Sequence, residues 1–227
     1  MLHFASEFRV GSWKGASAHN MLNICKTRGI NTEIICVDTW LGSNDTLWLD
    51  PNYRGALRLK NGYPSIFRQF VYNMIKTEMI DSVYPLPMTS TAAYYLLKRF
   101  EIQAELIYID AGHEHDEVYT DLSLYYNLLR PGGVMVCDDY SAGWPGVVSA
   151  INQFVAEKKL PMTGFQAKSA FVKPVQGNCS KPRVPGCKIQ LILRQGEPYP
   201  ARPNSRGDDL KPSLRAFCRR SPQWSRR

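Results

Sequence analysis

Short apolar runs alternate with longer stretches of helical periodicity over most of the chain. The runs predict seven strands, at Phe4–Val10, Glu33–Val37, Ser82–Tyr84, Leu106–Ile109, Val134–Cys137, Met162–Phe165 and Ala170–Lys173. Segments with apolar residues three and four positions apart predict five helices, at Ala18–Arg28, Ile66–Met79, Thr91–Phe100, Glu117–Leu129 and Val147–Lys158.

This order of elements predicts an α/β fold with a mostly parallel sheet, because strands separated by helices are joined by right-handed crossovers. The last two strands follow each other without a helix, which allows one antiparallel edge strand. Residues 39–65 interrupt the pattern as a long connection rich in Trp, Tyr, Gly and Asn. A connection of that length inside a compact domain is usually functional or partly mobile.

The composition changes at Gln176 and divides the chain into two parts. Residues 176–227 contain seven prolines, 12 Lys+Arg and 3 Asp+Glu, whereas residues 1–175 contain 16 Lys+Arg and 17 Asp+Glu. We therefore expect a folded domain over 1–175 and a basic, Pro-rich tail over 176–227 that is largely disordered. Nucleic-acid contacts are expected only through this tail, because the domain is nearly neutral.

The chain has neither a long apolar stretch nor a basic segment followed by an apolar core near its start. It therefore predicts no membrane partner and no secretory signal. The six cysteines have no metal-ligand spacing, and two of them lie in apolar strand-like runs, which favours a reducing, cytoplasmic location.

Carboxylates follow two of the predicted strands at the point where each strand ends. Asp110 follows one strand, and Asp138 and Asp139 follow the next, with His113 three residues after the first acid. The carboxyl ends of neighbouring parallel strands meet at one edge of a sheet, where open α/β folds bind ligands. Such a group can hold a divalent cation or move a proton, although acids at these positions also cap helices and turns.

A second set of residues at this edge is typical of a nucleoside-binding site. Gly11 and Gly15 lie between the first strand and the first helix, where glycine permits a tight turn and close approach of a ligand to the backbone. Ser12 and Ser17 add hydroxyl groups there. Asp38 ends the second strand, where a carboxylate can accept hydrogen bonds from a ribose diol.

The residues after the third strand are expected to meet the base of the nucleoside. Met88 could pack on adenine, and Thr89 or Ser90 could bond its exocyclic amine, while Ser90 as a plain helix N-cap is the alternative. Trp40 is placed at the edge of the same cofactor site. These features alone do not separate NAD from S-adenosylmethionine.

Four segments together resemble the class I S-adenosylmethionine-dependent methyltransferases, and among them the methyltransferase-domain subgroup related to O-methyltransferases of sugars and macrolides. The segments are Val10–Ser17, Cys36–Ser43, Ile109–His113 and Leu129–Tyr140. The resemblance covers residues 4–173 and implies a Rossmann-like, seven-stranded, doubly wound sheet whose last strand is antiparallel.

The resemblance also implies roles for individual residues. Asp110, Asp138 and Asp139 match carboxylates that bind magnesium in relatives, and His113 matches a general base, with Asp110 beside it in the catalytic group. The predicted contacts to S-adenosylmethionine are Gly11, Ser12, Trp13, Gly15, Ser17, Asp38, Thr39, Trp40, Met88, Thr89 and Asp110.

Two departures from the family pattern stand out. Arg9 occupies the position of a usual acid two residues before the first glycine, and only ten residues precede that glycine. The expected function is methylation of a hydroxyl oxygen on a small sugar-like, polyol or phenolic acceptor, with magnesium dependence and oligomerisation left open. One alternative is an NAD-dependent oxidoreductase, but this sequence lacks the Gly-x-Gly-x-x-Gly turn of such an enzyme. The other alternative is a decayed methyltransferase fold that binds nucleic acid through the basic tail.

Overall fold

The computed structural model describes residues 4–175, and the predicted tail lies outside the described residues. Its seven strands form one sheet in the order β3-β2-β1-β4-β5-β7-β6. The strands are β1 Phe4–Val10, β2 Asn31–Asp38, β3 Val83–Pro87, β4 Ala104–Ile109, β5 Leu129–Cys137, β6 Met162–Phe165 and β7 Lys168–Val172. Strands β1 to β5 are parallel, and β7 runs antiparallel to both β5 and β6, which confirms the predicted fold class.

All five predicted helices are present, and a short one was missed. They are α1 Ala16–Thr27, α2 Pro51–Arg54, α3 Ile66–Lys76, α4 Ser90–Arg99, α5 His115–Leu128 and α6 Pro145–Lys158. The missed helix is α2, in the long connection. No helix among residues 4–175 is long and apolar enough to cross a membrane.

Strand β3 continues through Pro85, before which the predicted strand ends, and as far as Pro87. Pro85 pairs in register with Cys36, and Pro87 with Asp38. Because β3 is at the end of the strand order, one side of it faces no neighbouring strand, and a residue without an N–H group is tolerated there.

Strand β5 begins earlier than predicted, because Arg130-Pro-Gly-Gly133 is an irregular part of the strand and not a separate turn. The pairing of β4 with β5 shifts register between Ala104 and Leu106, as expected where one strand carries extra residues. The regular pairing that follows places Ile109 beside Cys137, so these two strands end side by side.

Strand β1 lies at the centre of the sheet and carries charged residues in a buried position. Phe8 and Val10 point to one face and are 0% and 1% exposed. Glu7 and Arg9 point to the other face, where they are also buried, at 5% and 2% exposed. The apolar pattern of β1 is therefore weak because one of its faces holds ionisable groups in the interior.

The long connection has more structure than its composition suggests. Besides α2, it contains a π-helical turn at Asn44–Trp48, a 3-10 turn at Gly55–Leu57 and a bridge between Lys60 and Tyr63. Leu57 is fully buried and joins the apolar cluster under α1 and α3. This anchor holds the connection against the domain near the carboxyl end of β2.

Candidate active site

Glycine is required in the turn between β1 and α1. Gly11 has φ +80°, and a Cβ there would lie 1.7 Å from the carbonyl oxygen of Asp110. Gly15 has φ +87°, and its Cβ would lie 2.6 Å from the Cε of Met74 on α3. The absence of these side chains lets the turn pack between the end of β4 and the neighbouring helix.

Asp38 organises this turn. Its Oδ2 accepts hydrogen bonds from the backbone N–H groups of Ser12 and Trp13, each at 2.8 Å. Its Oδ1 accepts from the N–H of Trp40 at 2.7 Å. The predicted contact of Asp38 with a ribose stays a prediction, and the structure adds a role in fixing the turn.

The side chain of Trp40 is buried in the core, whereas the sequence places Trp40 at the edge of the cofactor site. The side chain is packed against Phe67 and Phe70, with both ring centroids 4.9 Å away, and the residue is 2% exposed. Its indole Nε1–H donates to the backbone oxygen of Trp13 at 2.7 Å. Trp40 therefore ties the connection after β2 to the glycine turn from inside the core.

The other predicted cofactor residues lie at or near the carboxyl edge, with several of their polar groups already engaged. The hydroxyl of Thr89 accepts from the N–H of Ala92 at 3.2 Å and caps α4, so the cap is Thr89 and not Ser90. The hydroxyl of Thr39 accepts from the N–H of Leu41 at 3.2 Å. Met88 and Ser17 are partly exposed.

The three acids meet at one edge, as predicted, because β4 and β5 end side by side. Each acid is engaged by a different basic group. The Asp110 carboxylate is ion-paired with the Arg9 guanidinium, and that of Asp138 with the Lys168 ammonium. The Asp139 Oδ2 lies 3.2 Å from the Nε2 of His113.

His113 is held in position by two neighbours. Its imidazole stacks on the indole of Trp144, with ring centroids 3.8 Å apart and an angle of 18° between the planes. Its Nε2 faces Asp139, and 16% of its side chain is exposed. Gly146 permits this arrangement, since a Cβ there would lie 2.4 Å from the backbone oxygen of His113. An imidazole oriented by a carboxylate and open to the cleft can accept a proton from a bound hydroxyl.

The electrostatics differ between two of the acids. The pKa of the Asp110 carboxyl is raised to about 6, mainly by burial; Arg9 opposes this rise, and the nearby Asp138 and Asp139 add to it. Burial alone would raise the pKa of Asp138 as well, but hydrogen bonds from Lys168 and Tyr108 outweigh burial and hold that pKa below its usual value. Asp138 is therefore the more firmly ionised of the two.

A family described as a methyltransferase domain matches residues 8–140, which is more than half of the chain and includes the glycine turn, Asp38 and the acid edge. The chain belongs to this methyltransferase family. A protein of Acanthamoeba polyphaga mimivirus, described as uncharacterized, is 38% identical to the methyltransferase over 55 residues. That match spans 23% of this chain and only 25% of the viral protein.

Solved O-methyltransferases share the fold of this methyltransferase. NovP superposes with a TM-score of 0.55 and 16% identity, covering 75% of this chain and 72% of NovP. The calicheamicin methyltransferase CalS11 superposes with a TM-score of 0.53 and 18% identity, covering 74% of this chain and 71% of CalS11. An O-methyltransferase of Bacillus cereus in complex with SAH superposes with a TM-score of 0.51 and 14% identity, covering 74% of each chain.

The donor set of the methyltransferase does not fit a magnesium ion, which corrects the predicted ligands Asp110, Asp138 and Asp139. Among residues 4–175, no group of three or more His, Cys, Asp or Glu is arranged to hold a metal. A divalent cation needs several oxygen ligands free to face it, but Asp110 and Asp138 face cations of the chain and Asp139 faces His113.

Sequence reasoning missed four residues of the site. From the sequence, Arg9 stands out only as a departure from the family pattern, and Tyr108, Lys168 and Trp144 carry no predicted role. Tyr108 donates its hydroxyl to the Oδ2 of Asp138 at 2.7 Å. No sequence signal points to Lys168, because the last predicted strand begins only at Ala170. In the structure β7 begins at Lys168 and pairs with β5 through Ser169 and Cys137.

Proposed function

We propose that the protein is an S-adenosylmethionine-dependent O-methyltransferase that acts on a hydroxyl of a small sugar-like, polyol or phenolic acceptor. The observation that carries the proposal is the His113–Asp139 pair at the edge that also holds the glycine turn. Two solved neighbours support the acceptor class and the cofactor. They are TomG from Streptomyces achromogenes in complex with SAM and CalS11 described as a TDP-rhamnose 3'-O-methyltransferase.

The residues present fit this cofactor. A carboxylate offers about four lone-pair positions, and Asp38 uses three for backbone N–H groups, so one stays open to a ribose hydroxyl. The turn at Gly11 lets a ligand approach the backbone of the β1–α1 junction. When bound, the cofactor supplies a methyl group that is activated by its positive sulfur.

Residues of the chain remove the acceptor proton and align the acceptor. His113 accepts the proton of the acceptor hydroxyl at its imidazole while the acceptor oxygen forms its bond to the methyl carbon. Asp139 orients the ring and stabilises the imidazolium that results. Trp144 supports the ring from its stacked face. Alignment of the acceptor in this cleft supplies the rest of the rate.

Calorimetry with S-adenosylmethionine, followed by transfer assays on catechol and on a nucleoside-diphosphate deoxysugar, tests this function. Binding together with methyl transfer to a hydroxyl is the expected result. Absence of cofactor binding to the full chain would contradict it.

One observation favours a second candidate, a decayed methyltransferase fold that only binds a partner. Arg9 is buried where relatives carry an acid, and its Nε and Nη1 have no hydrogen-bond partner among residues 4–175. The same calorimetry separates the two, because a decayed fold binds no cofactor.

The cytoplasmic location and the nucleic-acid contacts of the basic tail stay predictions.

A further inference from the structure

Two of the three acids at the edge of the sheet are paired with permanent cations of the chain, and the third faces an imidazole. Every carboxylate that could face a divalent cation has a basic group against it, drawn from three different elements: Arg9 from β1, Lys168 from β7 and His113 from the loop after β4. The Arg9 and Lys168 cations each occupy an oxygen lone pair of their partner and offset the negative charge that would attract a metal ion.

Lys168 has the geometry of a cation built into the cleft. Its ammonium is ion-paired with the Oδ1 of Asp138, while the hydroxyl of Tyr108 occupies Oδ2 of the same carboxylate at 2.7 Å. The Lys168 Nζ lies 5.7 Å from the centroid of the Tyr108 ring, and the Arg9 guanidinium carbon lies 3.9 Å from it. Both oxygens of Asp138 are thus engaged, and the aromatic ring is flanked by two positive charges.

The ammonium is also accessible to a ligand. The side chain of Lys168 is 32% exposed and that of Asp138 is 20% exposed, so the pair lies at the cleft surface. An ammonium has three N–H donors. One of them is directed to Asp138 and one to the Tyr108 hydroxyl, so a third can face an acceptor oxygen.

We propose that the Lys168 ammonium takes the place of a divalent cation in this cleft, so that the protein is metal-independent and Lys168 donates a hydrogen bond to the acceptor oxygen. This inference rests on the proposed function. The positive charge stabilises the negative charge that develops on the oxygen as its proton leaves for His113 and the C–O bond forms. As the C–S bond breaks, its electron pair stays on the sulfur of the cofactor.

Magnesium calorimetry on the full chain tests the metal part, with Lys168→Met as the comparison. We expect no magnesium binding to the wild type and no change of its melting temperature with EDTA. In Lys168→Met the Asp138 carboxylate loses its ammonium partner, and we expect it to bind magnesium weakly together with Asp139. Magnesium binding by the wild type, or loss of wild-type activity in EDTA, would overturn the inference.

Steady-state kinetics tests the contact with the acceptor. Lys173→Met is a matched control, because Lys173 follows the same strand but donates to the backbone oxygens of Tyr126 and Leu129 at 2.8 Å, away from the acids. Lys168→Met should lower kcat roughly a hundredfold while cofactor affinity is kept, and Lys168→Arg should recover part of the rate. Equal kcat in Lys168→Met and Lys173→Met overturns the proposed contact.

Different results would contradict the proposed methyltransferase function and the proposed role of Lys168. If the wild type binds no S-adenosylmethionine or transfers no methyl group, the proposed function fails and this inference with it. If the wild type binds the cofactor and turns over only with magnesium, the function stands and Lys168 is a structural lysine.

Discussion

At the scale of single residues, the position of His113 leads to a prediction about proton transfer. Its Nε2 faces Asp139 at 3.2 Å, and its ring stacks on Trp144. We expect His113→Ala to lower kcat by about a hundredfold or more, because removal of a general base has an effect of that size. Asp139→Asn should lower it less, since the base is kept but its orientation is lost.

Calorimetric affinity for S-adenosylmethionine is the control for both variants and should stay near the wild-type value. Loss of cofactor binding in His113→Ala would place the imidazole in the cofactor site and contradict its role as the base.

Glu7 predicts an unusual pH dependence of stability. Burial raises the pKa of its carboxyl to about 7, with a hydrogen bond from Cys25 lowering it and Glu105 raising it. The folded state therefore holds the Glu7 proton more tightly than the unfolded chain, whose pKa is near 4.5. Stability from the protonated form is present below pH 4.5 and is lost as the pH rises to about 7.

Glu7→Gln should remove this loss. Relative to wild type, the variant should gain on the order of 3 kcal/mol of unfolding free energy between acid pH and pH above 7, from the size of the pKa shift. Denaturant titrations of both proteins at several pH values measure the difference. A difference that does not change with pH would show that Glu7 titrates normally.

At the scale of elements, the packing of the β1–α1 turn against β4 predicts a large effect of one methyl group. Gly11→Ala would place a Cβ 1.7 Å from a backbone oxygen, which cannot move without shifting β4. Gly29→Ala is a matched control, because Gly29 has φ +69° but no atom within 4 Å of its Cβ position.

Thermal or chemical unfolding should separate the two variants. Gly29→Ala should lose about 1 kcal/mol, the strain of a left-handed backbone with a side chain. Gly11→Ala should lower the free energy of unfolding by more than about 3 kcal/mol, because its Cβ also clashes with the backbone of β4. Similar losses would mean that the turn moves aside easily.

The elements also show how far sequence reasoning reaches. The bounds of β1 and β6 were predicted to the residue, and β1 ends where the glycine of the following turn begins. The start of β5 was missed, since Arg130-Pro-Gly-Gly133 has turn composition and only its pairing with β4 reveals a strand. Local pattern predicts elements well where the local and tertiary signals agree.

The site was predicted in part for a similar reason. Asp110 and the Asp138–Asp139 pair could be placed together because parallel strands end at one edge. Which cation each acid faces could not be predicted, since Lys168 reaches Asp138 from a strand thirty residues further along the chain. The burial of Trp40 was equally hidden, because it depends on Phe67 and Phe70 of α3.

At the scale of the whole molecule, the charge division predicts separate behaviour of the two parts. The chain has a formal charge of +8, but residues 1–175 hold 16 basic and 17 acidic residues. A chain ending at residue 175 should bind S-adenosylmethionine like the full chain and should lose salt-sensitive retention on single-stranded DNA. Equal retention of both forms would place the nucleic-acid contacts on the domain.

The two prolines of β3 have a consequence for how copies of this protein meet. An exposed sheet edge offers a row of N–H donors to any extended strand of another chain, which leads to strand addition or aggregation. Pro85 and Pro87 interrupt that row at the β3 end of the sheet. A dimer of this protein is therefore expected to form through helices or loops and not by continuing the sheet past β3.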